Sequence, residues 1–394
     1  MADYEATYAA HHQRHAFDGK RMRKPVTRKP VDYATGASLR MIWKFRRGED
    51  RAGSLAALRP GSLTFKRLHS YLSNSRYPSA GVMLKYMHTC TNKDRVPIFS
   101  VTYTPDARKI FTGTHAGEIT LWNGTQFNFE TILAAHSCPI KCLTWTKTGV
   151  HLISSDSLGE VQYWQSNMNN LKRFRPHQEE IKEIAISHNS DKIVTASLDK
   201  SLQVIDFREC HVEKRFEGHH SDVVSVDWHS RFSLLISGSK DGTVRLWDPR
   251  TSEHLHTLFH HRSAVSGTKF NPHSEFNFVS IGVDTLAFSN DLRNLSKVNR
   301  TFRSHKKDIS SIIFNPVISN VFVTGGSDGS MGFWHTERDA PLHFTEKAHD
   351  NVIHSMAFNP MGTVLVTGGH DHHTKIWSHQ LPAEMTEVST GYEE

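Results

Sequence analysis

The stretch that decides the fold begins at Gly218-His219 and continues, eighteen residues after the histidine, as Ser237-Gly-Ser-Lys-Asp241-Gly-Thr-Val-Arg-Leu-Trp247-Asp248. Within it, an Asp-Gly turn signal separates two short runs of residues that favour β-strands. The histidine recurs along the chain at intervals of 41 to 44 residues, at His136, His177, His219, His261, His305 and His349. Self-similarity at such a period predicts a repeat protein in which each unit packs against its neighbours.

Two further residues of the unit recur with the histidine. The aspartate is found at Asp199, Asp241, Asp284, Asp328 and Asp371. The tryptophan, six residues beyond the aspartate position, is found at Trp122, Trp164, Trp247, Trp334 and Trp377. The first two units carry Ala116 and Leu158 at the aspartate position, and the third and fifth carry Ile205 and Asn290 at the tryptophan position.

These units resemble the WD40 repeat over roughly residues 98–378. The resemblance implies an all-β fold, a seven-bladed WD40 β-propeller with four strands in each blade, which here carries a basic N-terminal extension. It also implies a structural network in which His, Asp and a Ser or Thr are hydrogen-bonded and reach the Trp, so that buried polar groups are satisfied. We expect the first two units to lack this network. We expect it at His219, Asp241, Trp247, His305, Asp328, Trp334, His349, Asp371 and Trp377.

The last repeat leaves its outer strand unaccounted for, because the sequence turns polar and contains proline after Trp377. The segment 82–91, with alternating apolar residues ahead of the first repeat, is predicted to supply that strand and so to cover edges that an open propeller would expose. We therefore expect a basic N-terminal arm (1–33), a helical and loop extension (34–81), the propeller (82–379) and a disordered tail (380–394).

Charge is unevenly distributed along the 394 residues. The net charge is +7, but residues 1–97 hold 19 Lys and Arg against 7 Asp and Glu, whereas residues 98–394 hold 28 against 33. The four cysteines form no C-x-x-C pair, which favours a reducing compartment, either cytosol or nucleus. No run approaches the 18 apolar residues of a transmembrane helix and the N-terminus lacks a signal-peptide core, so we expect no membrane association.

The densest charge lies between Lys20 and Lys29, where six of ten residues are basic. Three interpretations are open: a nuclear-import signal, a solvated tail, or contact with nucleic acid. Aromatic residues at Phe17 and Phe129 favour the third, because single-stranded RNA is bound by cations on its phosphates and by rings on its bases. A Phe following the first repeat could also simply fill the space between strands.

The clusters of potentially reactive side chains in the sequence do not indicate catalysis. Two groups of histidines are close in sequence: His11, His12 and His15, and His370, His372 and His373. Neither group has the accompanying residues of a known metal motif, and a phosphate-binding loop and a dinucleotide fingerprint are missing from the sequence. The repeated His–Asp pairs recur in unit after unit, which favours a structural role. We therefore expect no metal, no cofactor and no enzymatic activity.

Two strings are much more specific than any WD repeat: Phe17-Asp-Gly-Lys-Arg-Met-Arg-Lys24 and Phe127-Asn-Phe-Glu-Thr-Ile-Leu133. A third, Tyr163-Trp-Gln-Ser-Asn-Met-Asn-Asn170, accompanies them, and Thr91-Asn-Lys93 and Gly325-Gly-Ser-Asp-Gly-Ser330 with Phe333-Trp-His335 agree with them. They resemble the WD-repeat subunit of the cleavage and polyadenylation specificity factor, over about residues 14–378. That nuclear family is non-catalytic and, with a zinc-finger subunit, recognises the AAUAAA signal of pre-mRNA while docking on a large propeller scaffold subunit. The resemblance implies that RNA is bound by Phe17, Lys20, Arg21, Arg23, Arg28, Thr91, Phe129 and Ile132.

These observations predict two alternative functions. The first is a nuclear RNA-recognition and scaffold subunit of the polyadenylation machinery, bound to single-stranded RNA, the zinc-finger subunit and the scaffold subunit. The alternative is a general WD40 peptide-binding scaffold whose basic arm is an import signal. Residues 34–81 match the family poorly, apart from a helix-like Arg40-Met-Ile-Trp43, and the fifth unit is eroded at Val283 and Asn290.

Overall fold

Every regular element of the part of the chain described here is a β-strand. The computed structural model describes residues 82–251 and 254–378, which form seven four-stranded antiparallel sheets. The predicted seven-bladed β-propeller is therefore confirmed. The proposed arm (1–33), extension (34–81) and tail (380–394) lie outside the described residues and stay predictions.

The strand bounds repeat with the period of the sequence. The first fourteen strands are β1 (Lys85–Thr91), β2 (Ile98–Tyr103), β3 (Lys109–Thr114), β4 (Glu118–Asn123), β5 (Phe129–Ala134), β6 (Ile140–Trp145), β7 (His151–Asp156), β8 (Val161–Gln165), β9 (Asn170–Phe174), β10 (Ile181–Ile186), β11 (Lys192–Ser197), β12 (Leu202–Asp206), β13 (Val212–Phe216) and β14 (Val223–Trp228). The remaining fourteen are β15 (Leu235–Ser239), β16 (Val244–Trp247), β17 (His254–Leu258), β18 (Val265–Phe270), β19 (Asn277–Gly282), β20 (Leu286–Asp291), β21 (Arg300–Arg303), β22 (Ile309–Phe314), β23 (Val321–Gly326), β24 (Met331–His335), β25 (His343–Thr345), β26 (Ile353–Phe358), β27 (Val364–Gly369) and β28 (His373–Ser378).

Burial within a blade follows the order of its strands. In the fourth blade, the second and third strands β15 and β16 are buried along their whole length, whereas the outer strand β17 is exposed over its first three residues. The inner strands pack on both faces against neighbouring blades, so they contain mostly apolar or small residues rather than a polar alternation. The core is thus a series of clusters between adjacent blades.

The last blade joins the two ends of the described chain. Its strand order is β1-β28-β27-β26, so β1 is the outer strand beside the C-terminal strand β28. The pairing runs from Lys85↔Ser378 to Thr91↔His373. The prediction that the segment before the first repeat closes the last blade is confirmed. This closure pairs one edge of β28 that would otherwise be open to other strands.

Candidate nucleic-acid interface

The repeated polar residues form buried hydrogen-bonded networks. In the fourth blade, His219 Nδ1 lies 3.0 Å from Asp241 Oδ2, and His219 Nε2 lies 2.7 Å from Ser237 Oγ. The Trp247 indole N–H donates to the same Ser237 oxygen at 2.8 Å. Burial would raise the pKa of Asp241, but hydrogen bonds from His219 and Thr243 outweigh it and hold that pKa well below its usual range. The network therefore fixes the ionised aspartate and the loop that carries it.

The sixth and seventh blades carry the same network with one variation. His349 Nδ1 lies 2.9 Å from Asp371 Oδ2, and Trp377 donates to Thr367, which also contacts His349. In the sixth blade His305 Nδ1 contacts Ser330 Oγ at 2.8 Å, and Ser330 in turn donates to Asp328. Trp334 and His305 Nε2 share Thr324 Oγ1 there, at 2.8 and 2.7 Å. A hydroxyl can thus link the histidine to its aspartate.

The expectation that the second blade lacks the network is wrong. His136 Nε2 lies 2.7 Å from Ser154 Oγ, which accepts a hydrogen bond from Trp164 at 2.9 Å, and His136 Nδ1 lies 3.3 Å from Asp156. The carboxylate comes from the end of β7, two residues before Leu158, and accepts the Leu158 N–H. The first blade keeps only the hydrogen bond from Trp122 to Thr112, at 3.2 Å.

Phe129 and Ile132 lie on the outer strand β5 of the first blade and share one face. Phe129 pairs with Trp122 and Ile132 with Thr120, and a register shift lies between these two pairs. Residues three apart on a regular strand point to opposite faces, but the extra residue of a β-bulge restores them to the same face. Cross-strand partners share a face, so Phe129 and Ile132 stand with Thr120 and Trp122.

The Phe129 ring is exposed to solvent and packs against a buried tryptophan. Its side chain is 55% exposed, and its ring meets the buried Trp122 ring edge to face, with centroids 5.8 Å apart. The Trp122 indole is itself held by its hydrogen bond to Thr112. Phe127, two residues earlier, is instead 1% exposed. The alternative that a Phe fills the space between strands therefore applies to Phe127, while Phe129 is available for an external partner.

Thr91 belongs to the adjacent last blade. It ends strand β1, is exposed, and is followed by Asn92, whose side-chain amide donates to Thr120 Oγ1 at 2.9 Å. The Cys90 thiol lies 3.6 Å from the carbonyl oxygen of Phe127. We call the surface at Phe129 and Ile132, beside the end of β1 at Thr91, the first–last blade groove, because Asn92 and Cys90 join β1 to the first blade there.

The charges next to the groove are unequal. Glu130 is held by Lys109 at 3.3 Å and by the Asn123 amide at 3.1 Å, so its carboxylate is partly neutralised. Lys93, Asp94 and Arg95, in the loop just after Thr91, are all exposed, so this loop has one more cation than anion. A polyanion at the groove would meet a supported aromatic ring and nearby cations. Lys93 belongs to the Thr91-Asn-Lys93 string, but neither Lys93 nor Arg95 is among the residues predicted from the sequence to bind RNA.

The other predicted RNA-binding residues are Phe17, Lys20, Arg21, Arg23 and Arg28. They lie outside the described residues, so their position relative to the groove stays a prediction.

The expectation that the sequence lacks the nucleophile motif G-x-S-x-G is wrong, but the pattern has a structural explanation. The letters G-x-S-x-G occur at Gly325-Gly-Ser-Asp-Gly329. Ser327 lies in the hairpin turn between β23 and β24, and its backbone N–H donates to the carbonyl oxygen of Asp308. A nucleophile elbow needs a strand followed by a helix. This serine is followed by a strand instead.

In residues 82–251 and 254–378, no three or more His, Cys, Asp or Glu are grouped with metal-binding geometry. His370 Nδ1 lies 3.3 Å from His354 Nε2, and its ring is 6.4 Å from that of His372. Within the same ranges there is no helix that is long and apolar enough to cross a bilayer.

Comparison with known proteins adds the family. The model of the WD domain, G-beta repeat, matches residues 168–206, 210–248, 296–335 and 341–378. A protein of Gibberella zeae named polyadenylation factor subunit 2 is 36% identical across 94% of this chain and 64% of its own length. Proteins of the same name from Schizosaccharomyces pombe and Yarrowia lipolytica are 35% and 30% identical, across 92% and 98% of this chain.

The share of each relative that is covered differs. The chain spans 64% and 51% of the first two relatives, from Gibberella zeae and Neurospora crassa, but 75% of the Schizosaccharomyces pombe protein and 81% of the Yarrowia lipolytica protein. The matches run through the propeller and beyond the WD repeats. The chain therefore belongs to the family of WD-repeat proteins named polyadenylation factor subunit 2.

Proposed function

We propose that this chain is a non-catalytic RNA-recognition and scaffold subunit of the nuclear complex that cleaves and polyadenylates pre-mRNA, and that it helps to bind an AAUAAA-type signal. The relatives' name supports the pathway. The observation that carries the RNA-binding part is the exposed Phe129 ring, braced on Trp122 beside Thr91 and Ile132.

The chemistry of the groove suits an unpaired base. An aromatic ring that is already held edge to face by a buried tryptophan loses little conformational freedom when a base stacks on its outer face. Stacking on such a ring contributes roughly 1–3 kcal/mol per base in single-strand binding proteins. Ile132 offers apolar contact to one side of the base, and Lys93 and Arg95 offer charge to neighbouring phosphates.

The remaining part of the proposal concerns the basic arm and rests on its sequence. Phe17 would provide a second ring, and Lys20, Arg21, Arg23 and Arg28 would contact the RNA backbone and bases. A zinc-finger subunit would read most of the adenines, and a large propeller subunit would hold this chain in the complex. The propeller would hold its partners in position and would not catalyse a reaction.

The test is RNA binding with a matched pair of aromatic variants. Affinity for a short AAUAAA RNA and for a scrambled control is measured by fluorescence anisotropy, with and without the co-expressed zinc-finger partner. Phe129→Ala is expected to weaken AAUAAA binding about tenfold, in line with the loss of one stacked base. The control is Phe259→Ala, because Phe259 is 75% exposed but follows the outer strand of the fourth blade, far along the chain from the groove.

Two results would contradict the proposal. Equal loss of affinity for signal and scrambled RNA in the Phe129 variant would remove its role in recognition. Equal weak binding of both RNAs, with and without the partner, would instead favour a peptide-binding WD40 scaffold with a basic import arm.

A further inference from the structure

The innermost strands of all seven blades share one irregularity. Each shows a register shift between its first and third residues against the next strand. A bulge takes the second residue out of the ladder and re-aims its side chain. These seven residues, which we call the channel ring, are Phe99, Lys141, Lys182, Val224, Ser266, Ser310 and His354. All seven line one central cavity of about 600 Å³.

Basic and aromatic groups occupy one arc of the channel ring. Lys141 Nζ lies 4.0 Å from the centre of the Phe99 ring, which lies 4.8 Å from the His354 ring. Both lysines contact one acid: Glu180 Oε1 is 3.3 Å from Lys141 Nζ and 2.5 Å from Lys182 Nζ. The opposite arc is uncharged, since it consists of Val224, Ser266 and Ser310.

This arc has one more cation than anion. Two ammonium groups share the single Glu180 carboxylate, and the side chains of Lys141 and Glu180 are each only 18% exposed. Burial lowers the pKa of the Lys141 ammonium, although Glu180 opposes this shift. An additional carboxylate would offset that loss of solvation. His354 adds no charge at neutral pH, because burial and the nearby cations lower its pKa to about 4.

Deeper in the cavity the balance is reversed. Lys269, three residues beyond Ser266 on β18, is shared by Glu183 at 2.6 Å and Asp227 at 3.9 Å. The positive excess is therefore confined to the ring, and an extended polyanion that entered the channel would meet the Glu183 carboxylate, which lines the cavity. A single short acidic side chain would reach the lysines without meeting Glu183.

We propose that the channel ring binds the carboxylate of an acidic side chain, Asp or Glu, on a peptide segment of a partner protein. The carboxylate contacts Lys141 and Lys182 from the open side of Glu180, and its methylene groups pack on Phe99. Ser266 and Ser310 already donate their hydroxyl protons to the carbonyl oxygens of Ile309 and Ile353, so the lysines are the donors for the anion. This site is separate from the first–last blade groove.

The experiment uses the full chain and a defined probe. A fluorescein-labelled peptide, Gly-Ser-Glu-Glu-Ser-Gly, is titrated by anisotropy, and a Gly-Ser-Gln-Gln-Ser-Gly peptide shows whether the charge is needed. All variants also carry Lys20→Gln, Arg21→Gln and Arg23→Gln, because the basic arm would attract the probe. The matched control for Lys141→Gln/Lys182→Gln is Lys192→Gln/Lys240→Gln, two lysines that each pair with a single acid outside the ring, at 2.6 and 2.7 Å.

The expected result is a loss of about tenfold in affinity for Lys141→Gln/Lys182→Gln, none for the control, and recovery with Lys141→Arg/Lys182→Arg. Zero-length carbodiimide coupling of the probe, followed by peptide mass spectrometry, should label Lys141 or Lys182 in preference to Lys192 and Lys240. The proposal is overturned if the two double variants bind the probe alike, if the glutamine peptide binds equally well, or if coupling shows no preference for the ring.

Discussion

At the scale of single residues, Phe127 and Phe129 lie only two positions apart but are expected to have different roles. Phe127 contributes to stability, and Phe129 to recognition. Phe127 is 1% exposed and packs in the cluster between the first and last blades, whereas Phe129 is 55% exposed. Phe127→Ala is expected to lower the free energy of unfolding by about 3–5 kcal/mol, as for other buried phenylalanines. Phe129→Ala should lower it by about 1 kcal/mol or less, since it loses only one aromatic contact. Urea titrations of both variants measure the difference, and similar losses would contradict the assigned environments.

Buried histidines make a second residue-scale prediction, which concerns pH. Burial lowers the pKa of His305 to about 4, although Asp328 opposes the shift. The folded pKa is below the ordinary value of about 6.5, so between those values the unfolded chain binds a proton that the folded chain does not. Stability must therefore fall as pH falls through this window, by about 1–2 kcal/mol at pH 5 for this residue.

The measurement compares urea unfolding at pH 7 and pH 5. His305→Asn should reduce the pH-dependent loss by about 1–2 kcal/mol. His188→Asn, at an exposed position, controls for the removal of a histidine. An unchanged pH dependence in the His305 variant would show that its burial is not coupled to protonation.

Sequence reasoning identified the network positions where residue and spacing both repeat, as at His219 and Asp241. It missed Asp156, because that carboxylate reaches His136 from a different point in the chain and spacing alone cannot detect a substitute in space. It associated Phe129 with Ile132 through family resemblance only. The shared face depends on a bulge in β5, which is set by pairing with β4 and has no local sequence signal.

At the scale of elements, the closure of the last blade by β1 is the most consequential pairing. The strand was predictable, because an apolar alternation before the first repeat matched a strand missing after the last one. Its start at Lys85 was not, since Val82 and Met83 are buried in a core cluster without joining the ladder. The short outer strands, such as β25 at three residues, are equally hard to predict, because exposed edge strands carry little hydrophobic pattern.

Removing β1 should therefore destabilise the propeller as a whole. A chain that starts at residue 92 leaves β28 with an open edge, whereas a chain that starts at residue 82 keeps all 28 described strands. We expect the shorter chain to melt about 10 °C lower than the longer one and to self-associate through the exposed edge. Thermal melts and light scattering on the two chains are the measurements. Equal melting temperatures with monomeric behaviour would mean that closure does not depend on this strand.

At the scale of the whole molecule, charge is divided between the start of the chain and the propeller. The positive excess lies in residues 1–97, and the remaining residues carry more acids than bases. A polyanion would therefore be drawn toward the N-terminal quarter, while specificity would depend on fixed rings such as Phe129. The two contributions can be separated, because counterion release depends on salt and stacking does so only weakly.

The last prediction uses that difference in salt dependence. Affinity for AAUAAA RNA is measured across a series of salt concentrations for the natural chain, for Lys20→Gln/Arg21→Gln/Arg23→Gln, and for Phe129→Ala. If all three cations contact phosphates, the slope of log affinity against log salt should become shallower by about 2 in the triple variant, since each phosphate contact contributes about 0.7 for single strands. The Phe129 variant should bind more weakly at every salt concentration with an unchanged slope. A triple variant with the natural slope would mean that the basic segment does not contact the RNA, and a shallower slope in the Phe129 variant would mean that its ring positions the backbone rather than a base.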